Sequence, residues 1–219
     1  MSRRLAQLNL DNLGDLPEGC RTCTFWELDP VRRGRADRSG EGASEKDAWL
    51  SQVLLEWGSC GRVAYVDGEP AGFVMYAPPT FVPGADTFPT APVSPDAVLL
   101  MNAMVYPEYA DAGLGRILFQ SVAKDLLTRG GIRAVEAFGD HLGPRSGYGG
   151  CVLPADFLLR VGFKTQRPHV RYPRMRLELK SVLTWREEVE VALEKLIGAV
   201  RPRPRPVRPA AERDAGPPS

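Results

Sequence analysis

The residues with the clearest chemical potential are Gly113, Leu114, Gly115 and Arg116, near the middle of the chain. Glycines at the start of a helix allow backbone N–H groups to converge on an anion, and the helix dipole favours negative charge at the same place. A pyrophosphate suits such a site. The same spacing also occurs in plain tight turns, so the neighbouring residues must distinguish an anion site from a turn.

The segments on both sides of this glycine pair favour the anion site. An apolar run over 98–106 predicts a buried strand. A hairpin precedes it, because Asp67-Gly68 separates the strand-like segments 62–66 and 71–76. After the glycines, apolar residues recur at helical spacing and predict an amphipathic helix to about residue 128: Leu114, Ile117, Leu118, Val122 and Leu126.

This arrangement resembles the acetyl-CoA-binding motif of GNAT acetyltransferases. In that motif a strand and a V-x-P sequence precede [Q/R]-x-x-G-x-[G/A] at a helix start, and the pattern falls here on residues 110–115. A strand over 132–138 and a helix that ends in Val161-Gly162-Phe163 are similar to the family's second motif. The resemblance covers about residues 22–180. It implies an α+β fold with a mixed, mostly antiparallel, splayed sheet flanked by helices, with a helix appended at the C-terminus.

For the site, the resemblance implies acetyl-CoA as cosubstrate, held where strand 98–106 diverges from strand 132–138. Backbone groups of Ala103, Met104 and Val105 would pair with the pantetheine amides, and a strand N–H would polarise the thioester carbonyl. The pyrophosphate would be held by backbone N–H groups of five residues: Ala112, Gly113, Leu114, Gly115 and Arg116.

Two positions depart from the family pattern. Ala110 stands where Gln or Arg is usual, and the acidic Asp111 follows it. A carboxylate near a pyrophosphate weakens binding unless Arg116 compensates. Leu158 stands where many members carry a tyrosine that protonates the departing thiolate. A thiol is a tolerable leaving group, so activity does not require that tyrosine.

Acyl transfer to an amine needs a base or a water chain to keep the nucleophile neutral. Glu136 is the first candidate, since strand parity places it on the apolar face of strand 132–138; the alternative is a carboxylate held in an ion pair. Asp140 and His141 follow the same strand, although a loop histidine is often only solvated. Tyr148, among glycines, could replace the missing acid or belong to a plain flexible loop. Asn102 is either a ligand-binding or a core amide.

Cys20 and Cys23 form a C-x-x-C pair, a spacing that suits metal or redox chemistry. A structural zinc site would need further ligands such as Cys60, Cys151 or a histidine. The interpretation favoured by the sequence is two reduced residues beside the first strand, with no metal site.

Composition excludes several classes of protein. The 219 residues are 43% hydrophobic and 25% charged, with a net charge of +1, which argues against a protein dominated by contacts with nucleic acid or a membrane surface. No apolar run reaches the roughly 18 residues that span a bilayer. We therefore expect a cytoplasmic protein with no membrane and no nucleic-acid partner.

Local patterns predict the remaining elements and the domain limits. A partly ordered N-terminal segment over 1–19 precedes a domain over 20–199, and an Arg/Pro-rich tail over 200–219 is expected to be disordered. Within the domain the patterns predict the following: a strand over 22–28, a charged loop over 31–43, a helix from Ser44, irregular chain over 77–96 and 139–153, a short helix from Pro154, strands within 163–168 and 174–180, and a helix from Thr184 to Gly198.

The sequence thus predicts an enzyme that moves an acetyl group from acetyl-CoA to an amine of a small molecule or a protein. The alternative is a non-catalytic CoA-binding or interaction module that retains the fold, which Ala110, Asp111 and Leu158 favour. A homodimer is left open. The acceptor is not predicted, because variable loops such as 77–96 and 139–153 build acceptor pockets in this fold.

Overall fold

The computed structural model describes residues 2–110, 112–143 and 150–182. Its centre is an eight-stranded mixed sheet in the order β1-β2-β3-β4-β5-β8-β7, with β6 beside β5. The β4–β5 and β5–β6 pairs are parallel and the other pairs are antiparallel. The strands are β1 Arg3–Gln7, β2 Gly61–Val66, β3 Glu69–Ala77, β4 Ala97–Val105, β5 Ala134–Asp140, β6 Leu153–Pro154, β7 Lys164–Arg167 and β8 Arg174–Glu178.

Helices cover both faces of this sheet. One hydrophobic cluster joins the sheet to α4, α5 and α6, and a second joins it to α3 and the irregular segment 79–93. The helices are α1 Glu18–Thr22, α2 Pro30–Ser39, α3 Gly42–Glu56, α4 Leu114–Arg129, α5 Ala155–Arg160 and α6 Leu179–Val182. The predicted mixed, helix-flanked sheet is confirmed.

The hairpin that precedes β4 also agrees with the sequence. β2 and β3 flank a two-residue turn in which Asp67 has φ 51° and Gly68 has φ 95°. Both positive angles match the tight hairpin turn that an Asp-Gly pair favours.

Two predictions for the N-terminal third are wrong. No strand forms over 22–28: Thr22 ends α1, and residues 25–27 form a turn in which Trp26 stacks on Phe88 and Phe138 in the core. Most of the predicted loop over 31–43 is helical, because α2 extends to Ser39 and α3 begins at Gly42. The side chain of Asp29 caps the start of α2 by accepting hydrogen bonds from the N–H groups of Val31 and Arg32. This N-cap favours a helix even though the segment has no apolar stripe.

The N-terminal segment, predicted to be partly ordered, contributes a strand and buried leucines to the fold. Its residues 3–7 form edge strand β1, which pairs antiparallel with β2. Leu8, Leu13 and Leu16 are buried in the second cluster. These scattered leucines reach the core because β1 and the turn after it bring each of them to the face of the sheet that the second cluster covers.

The C-terminal part of the prediction falls outside the described residues. The predicted helix from Thr184 to Gly198 and the tail over 200–219 both lie there, and the limits of the predicted domain stay predictions. Across the ranges that the structure describes, no helix is long and apolar enough to cross a membrane.

Candidate active site

The two central parallel strands separate towards their carboxyl ends. The described ladder between β4 and β5 covers residues 97–99 and 134–136. β4 then continues to Val105 with its other edge on β3, while β5 continues to Asp140 beside β8. A bulge lies at this point, since Met75 faces Asn102 and Tyr76 faces Leu100, leaving Met101 as the extra residue. Among the described residues no strand pairs with this edge of β4 beyond Leu99, and we call the space between β4 and β5 there the gap.

The residues predicted to bind pantetheine lie along this gap. Val105, Met104 and Ala103 pair with Gly72, Phe73 and Val74 of β3 on one side. Ala103 is half-buried and Met104 is exposed, so part of this stretch is accessible. An extended ligand could bond to the strand groups that point away from β3, because those groups alternate along an antiparallel pair.

The predicted pyrophosphate cradle lies directly after β4. A turn over Pro107–Tyr109 leads to Gly113, which has φ 68° and ψ 13° at the N-cap, and α4 begins at Leu114. The N–H groups of the first helical turn have no partner within the helix, and a glycine cap offers them no side chain. These N–H groups are placed to donate hydrogen bonds to an anion at the end of the gap nearest to α4. Asp111 lies outside the described residues.

Glu136, the predicted base, is fully buried and forms ion pairs with two arginines. Its Oε2 lies 3.1 Å from Arg174 Nη1, and its Oε1 lies 3.2 Å from Arg176 Nη1. The backbone N–H of Ser94 also donates to Oε2 over 3.0 Å. Its β5 position pairs with Leu99, in the closed part of the sheet rather than the gap. The base role stays a prediction, and these contacts favour the ion-pair alternative.

Exchange of Glu136 for glutamine separates these two roles. If the carboxylate is structural, Glu136→Gln should lower the free energy of unfolding by about 3 kcal/mol, because two half-buried guanidinium groups lose the buried anion that they share. Urea unfolding measures this loss. Glu178→Gln, at an exposed partner of Arg176, is the control and should cost less than about 1 kcal/mol. Normal stability with a turnover at least a hundredfold lower would instead identify a base.

The other acid–base candidates lie near the end of β5. Asp140 is buried, and its Oδ1 accepts from the N–H of Leu142 over 2.9 Å. Its Oδ2 has no hydrogen-bond partner among the described residues. His141 is exposed, and its backbone N–H donates to the carbonyl of Arg171. Tyr148 lies outside the described residues. Leu158 is fully buried in the cluster around α4, so that position supplies no acid.

A cavity of about 320 Å³ opens beside the gap. Its walls come from α1, the start of α3, β3, β4 and residues 150–151. From β4 it is lined by Met101, Asn102 and Met104, which belong to the bulge and the predicted pantetheine stretch. The cavity therefore borders the stretch of β4 that is predicted to bind pantetheine.

Two charged residues of this cavity, Lys46 and Glu27, were missed by the acid–base reasoning from the sequence. A buried ion pair joins Lys46 to Glu27, whose Oε2 also accepts from the N–H of Trp26. The Sγ atoms of Cys23 and Cys151 lie 3.4 Å apart. Asn102 donates to Cys20 through Nδ2 over 3.5 Å.

The C-x-x-C pair was the sequence signal for this cluster, although it suggested metal or redox chemistry. In the part of the chain that the structure describes, no three Cys, His, Asp or Glu residues are placed to hold a metal ion.

Comparisons with known proteins agree with this geometry. The model of the Acetyltransferase (GNAT) family matches residues 24–143, and no curated protein sequence matches the chain. The fold is similar to PaiA N-acetyltransferase from Thermoplasma acidophilum in complex with coenzyme A, with a TM-score of 0.52, 15% identity, and coverage of 81% of this chain and 99% of that one.

Two further solved structures are similar at this level. An N-acetyltransferase from Staphylococcus aureus Mu50 has a TM-score of 0.51 and 13% identity, covering 82% of this chain and 99% of that one. An aminoglycoside acetyltransferase in complex with coenzyme A has a TM-score of 0.50 and 14% identity, covering 84% and 98%. With the family model matching more than half of its residues around a sheet that opens beside α4, this chain belongs to the GNAT acetyltransferase family.

Proposed function

We propose that this protein transfers an acetyl group from acetyl-CoA to an amine of a small molecule or a protein. The observation that carries the proposal is the open edge of β4, which lies between the glycine-capped start of α4 and the cavity. Ala103, Met104 and Val105 would bind pantetheine. The pyrophosphate would be held by the backbone N–H groups of Ala112, Gly113, Leu114, Gly115 and Arg116.

The cavity is the proposed acceptor site. Met75, Met101 and Trp26 supply apolar walls, while the Lys46–Glu27 pair places buried charge at one side. Such a site suits an amine with an apolar body. Bringing this amine next to the thioester lowers the barrier by fixing the reacting groups in one geometry, and strand N–H groups would stabilise the oxyanion.

Acetyl-CoA should raise the melting temperature of the protein, because a ligand that binds the folded state stabilises it by mass action. Arg116→Glu should weaken this binding about tenfold, since a carboxylate would lie at the helix end that faces the pyrophosphate. The matched control is Lys124→Glu, which makes the same charge change on an exposed position of α4. Calorimetry compares the affinities.

A screen of amines and peptides for acetyl-CoA-dependent thiol release then tests catalysis. An acceptor that releases CoA supports the enzyme. Clear acetyl-CoA binding with no acceptor in the screen would favour the non-catalytic module. Equal acetyl-CoA affinity in the Arg116→Glu and Lys124→Glu variants would show that the pyrophosphate does not bind at the start of α4.

A further inference from the structure

Two thiols meet on the wall of the cavity. Cys23 follows α1, and Cys151 comes from the chain between β5 and β6. Their Sγ atoms lie 3.4 Å apart, in a hydrogen bond for which either sulfur can be the donor. Both residues are half-buried free cysteines that line the cavity, so a small reagent that enters the cavity can reach them.

The fold holds this pair of thiols together. Cys23 and Cys151 are 128 positions apart in the chain, so only tertiary packing brings their sulfur atoms into contact. The indole N–H of Trp26 donates to the backbone carbonyl of Cys151 over 2.9 Å, and the Trp26 ring stacks on Phe88 and Phe138 in the core. Because Trp26 follows Cys23 closely in the chain, one buried ring anchors both segments.

The other two cysteines are placed differently. Cys20 also lines the cavity, but its sulfur accepts a hydrogen bond from the side chain of Asn102 over 3.5 Å. Cys60 is fully buried in the second cluster and is not part of the cavity wall. Of the four cysteines, all of which lie within the described ranges, only Cys23 and Cys151 form a hydrogen bond with each other.

We propose that Cys23 and Cys151 are an oxidative modification site, at which a hydroperoxide forms a disulfide that thiols reverse and that slows acetyl transfer by reshaping the acceptor cavity. Formation of the disulfide is independent of the proposed function, whereas its effect on turnover rests on that function. The assignment is the same whichever of the two sulfur atoms reacts first.

The oxidation has two steps that balance in atoms and electrons. The thiolate of one cysteine attacks an oxygen of the hydroperoxide, the O–O bond breaks, and that sulfur becomes a sulfenic acid while an alcohol leaves, or water in the case of hydrogen peroxide. The second sulfur then attacks the sulfenic sulfur, the S–S bond forms, and the hydroxyl group leaves as water with the proton of the second thiol. The two thiols lose two electrons and two protons, which the hydroperoxide takes up. Two molecules of a thiol reverse the change by exchange and become a disulfide themselves.

The disulfide would displace the wall of the cavity. An S–S bond is about 2.0 Å long, so the sulfur atoms must move together by roughly 1 Å or more from their separation of 3.4 Å. Trp26, which is hydrogen-bonded to Cys151, forms part of the same wall. A displacement of about 1 Å in a site that positions reacting groups can cost a hundredfold in rate. Because the predicted acetyl-CoA contacts lie on β4 and at the start of α4, we expect oxidation to lower turnover and leave acetyl-CoA affinity unchanged.

Hydrogen peroxide tests the disulfide in the full-length protein. The reduced, folded protein is treated with a small excess of peroxide, quenched with acid, and mapped by mass spectrometry without reduction. We expect the intact mass to fall by two hydrogen atoms and the Cys23 peptide to be joined to the Cys151 peptide. The melting temperature should rise by about 5 °C or more, because the bond constrains the unfolded chain over a long loop. Dithiothreitol should reverse both changes.

Turnover and two variants test the effect on the acceptor site. With the acceptor found in the screen, peroxide should lower the initial rate of amide formation at least about tenfold, and calorimetry should give the same acetyl-CoA affinity before and after oxidation. Initial rates are needed because the released CoA is itself a thiol that can reduce the disulfide. Cys20→Ser should respond to peroxide as the unmodified protein does, whereas the rate of Cys151→Ser should stay at its own untreated value. A thermal shift with acetyl-CoA shows that each variant folds.

Three results would overturn the modification site while leaving the proposed function in place. The first is a peroxide-treated protein in which Cys23 and Cys151 remain thiols, or in which Cys23 is joined to Cys20 instead. The second is a protein that carries the Cys23–Cys151 disulfide and retains full turnover. The third is an equal loss of turnover in peroxide-treated Cys151→Ser, which would place the sensitivity at another residue. The proposed function fails separately, through the absence of any thermal shift with acetyl-CoA in the reduced protein.

Discussion

Replacement of Lys46 by methionine should lower the free energy of unfolding by about 3–5 kcal/mol, as expected when one partner of a buried ion pair is removed. Methionine retains an unbranched apolar chain but leaves the Glu27 carboxylate without its cation. The side chains of Lys46 and Glu27 are only 4% and 2% exposed, so little water reaches the carboxylate once its partner is lost. Urea unfolding measures this change. The ion pair links Lys46 of α3 to Glu27 in the wall of the cavity.

Two further variants test the reason for this loss. Lys46→Met combined with Glu27→Gln should recover much of the stability, since the buried charge is then removed with its partner. Arg32→Met breaks the pair with Glu45, where Arg32 is 60% exposed, and should cost less than about 1 kcal/mol. A loss for Lys46→Met no larger than for Arg32→Met would show that Glu27 is solvated in the folded protein.

Gly113→Val should reduce the affinity for acetyl-CoA by at least about a hundredfold. A side chain at the N-cap would obstruct the approach of the pyrophosphate to the first N–H groups of α4, and two charge-assisted hydrogen bonds account for a loss of this size. Calorimetric titration with acetyl-CoA measures it.

Strain must be separated from obstruction, because Gly113 has a left-handed conformation that valine rarely adopts. Gly40 ends α2 with φ 73° and ψ 17°, nearly the same conformation, and a Cβ there would meet open space. Gly40→Val should therefore lose similar stability and retain acetyl-CoA affinity. Equal loss of affinity in both variants would attribute the effect to strain, and unchanged affinity in Gly113→Val would place the pyrophosphate elsewhere.

The sheet and the start of α4 were predictable because their signals are local. An apolar run defines β4, an Asp-Gly turn defines the hairpin, and a glycine before an apolar stripe defines the helix start. Errors occurred where local composition and final packing disagree. Helix α2 has few apolar residues and is defined by its Asp29 cap, while Trp26 resembles a strand residue but packs in a turn.

The sequence was sufficient to predict the family and, between residues 61 and 178, the order β2, β3, β4, α4, β5, α5, β7 and β8, because each signal depends on spacing within a few residues. The pyrophosphate segment at the start of α4 stays a prediction. The partners of the ionisable groups became known only from the folded structure. Glu136 meets Arg174 and Arg176 only after β8 pairs with β5, and Cys23 meets Cys151, 128 residues away, only when the chain after β5 folds over α1. A side chain's chemistry depends on the charges and burial around it, and contacts between distant segments set both.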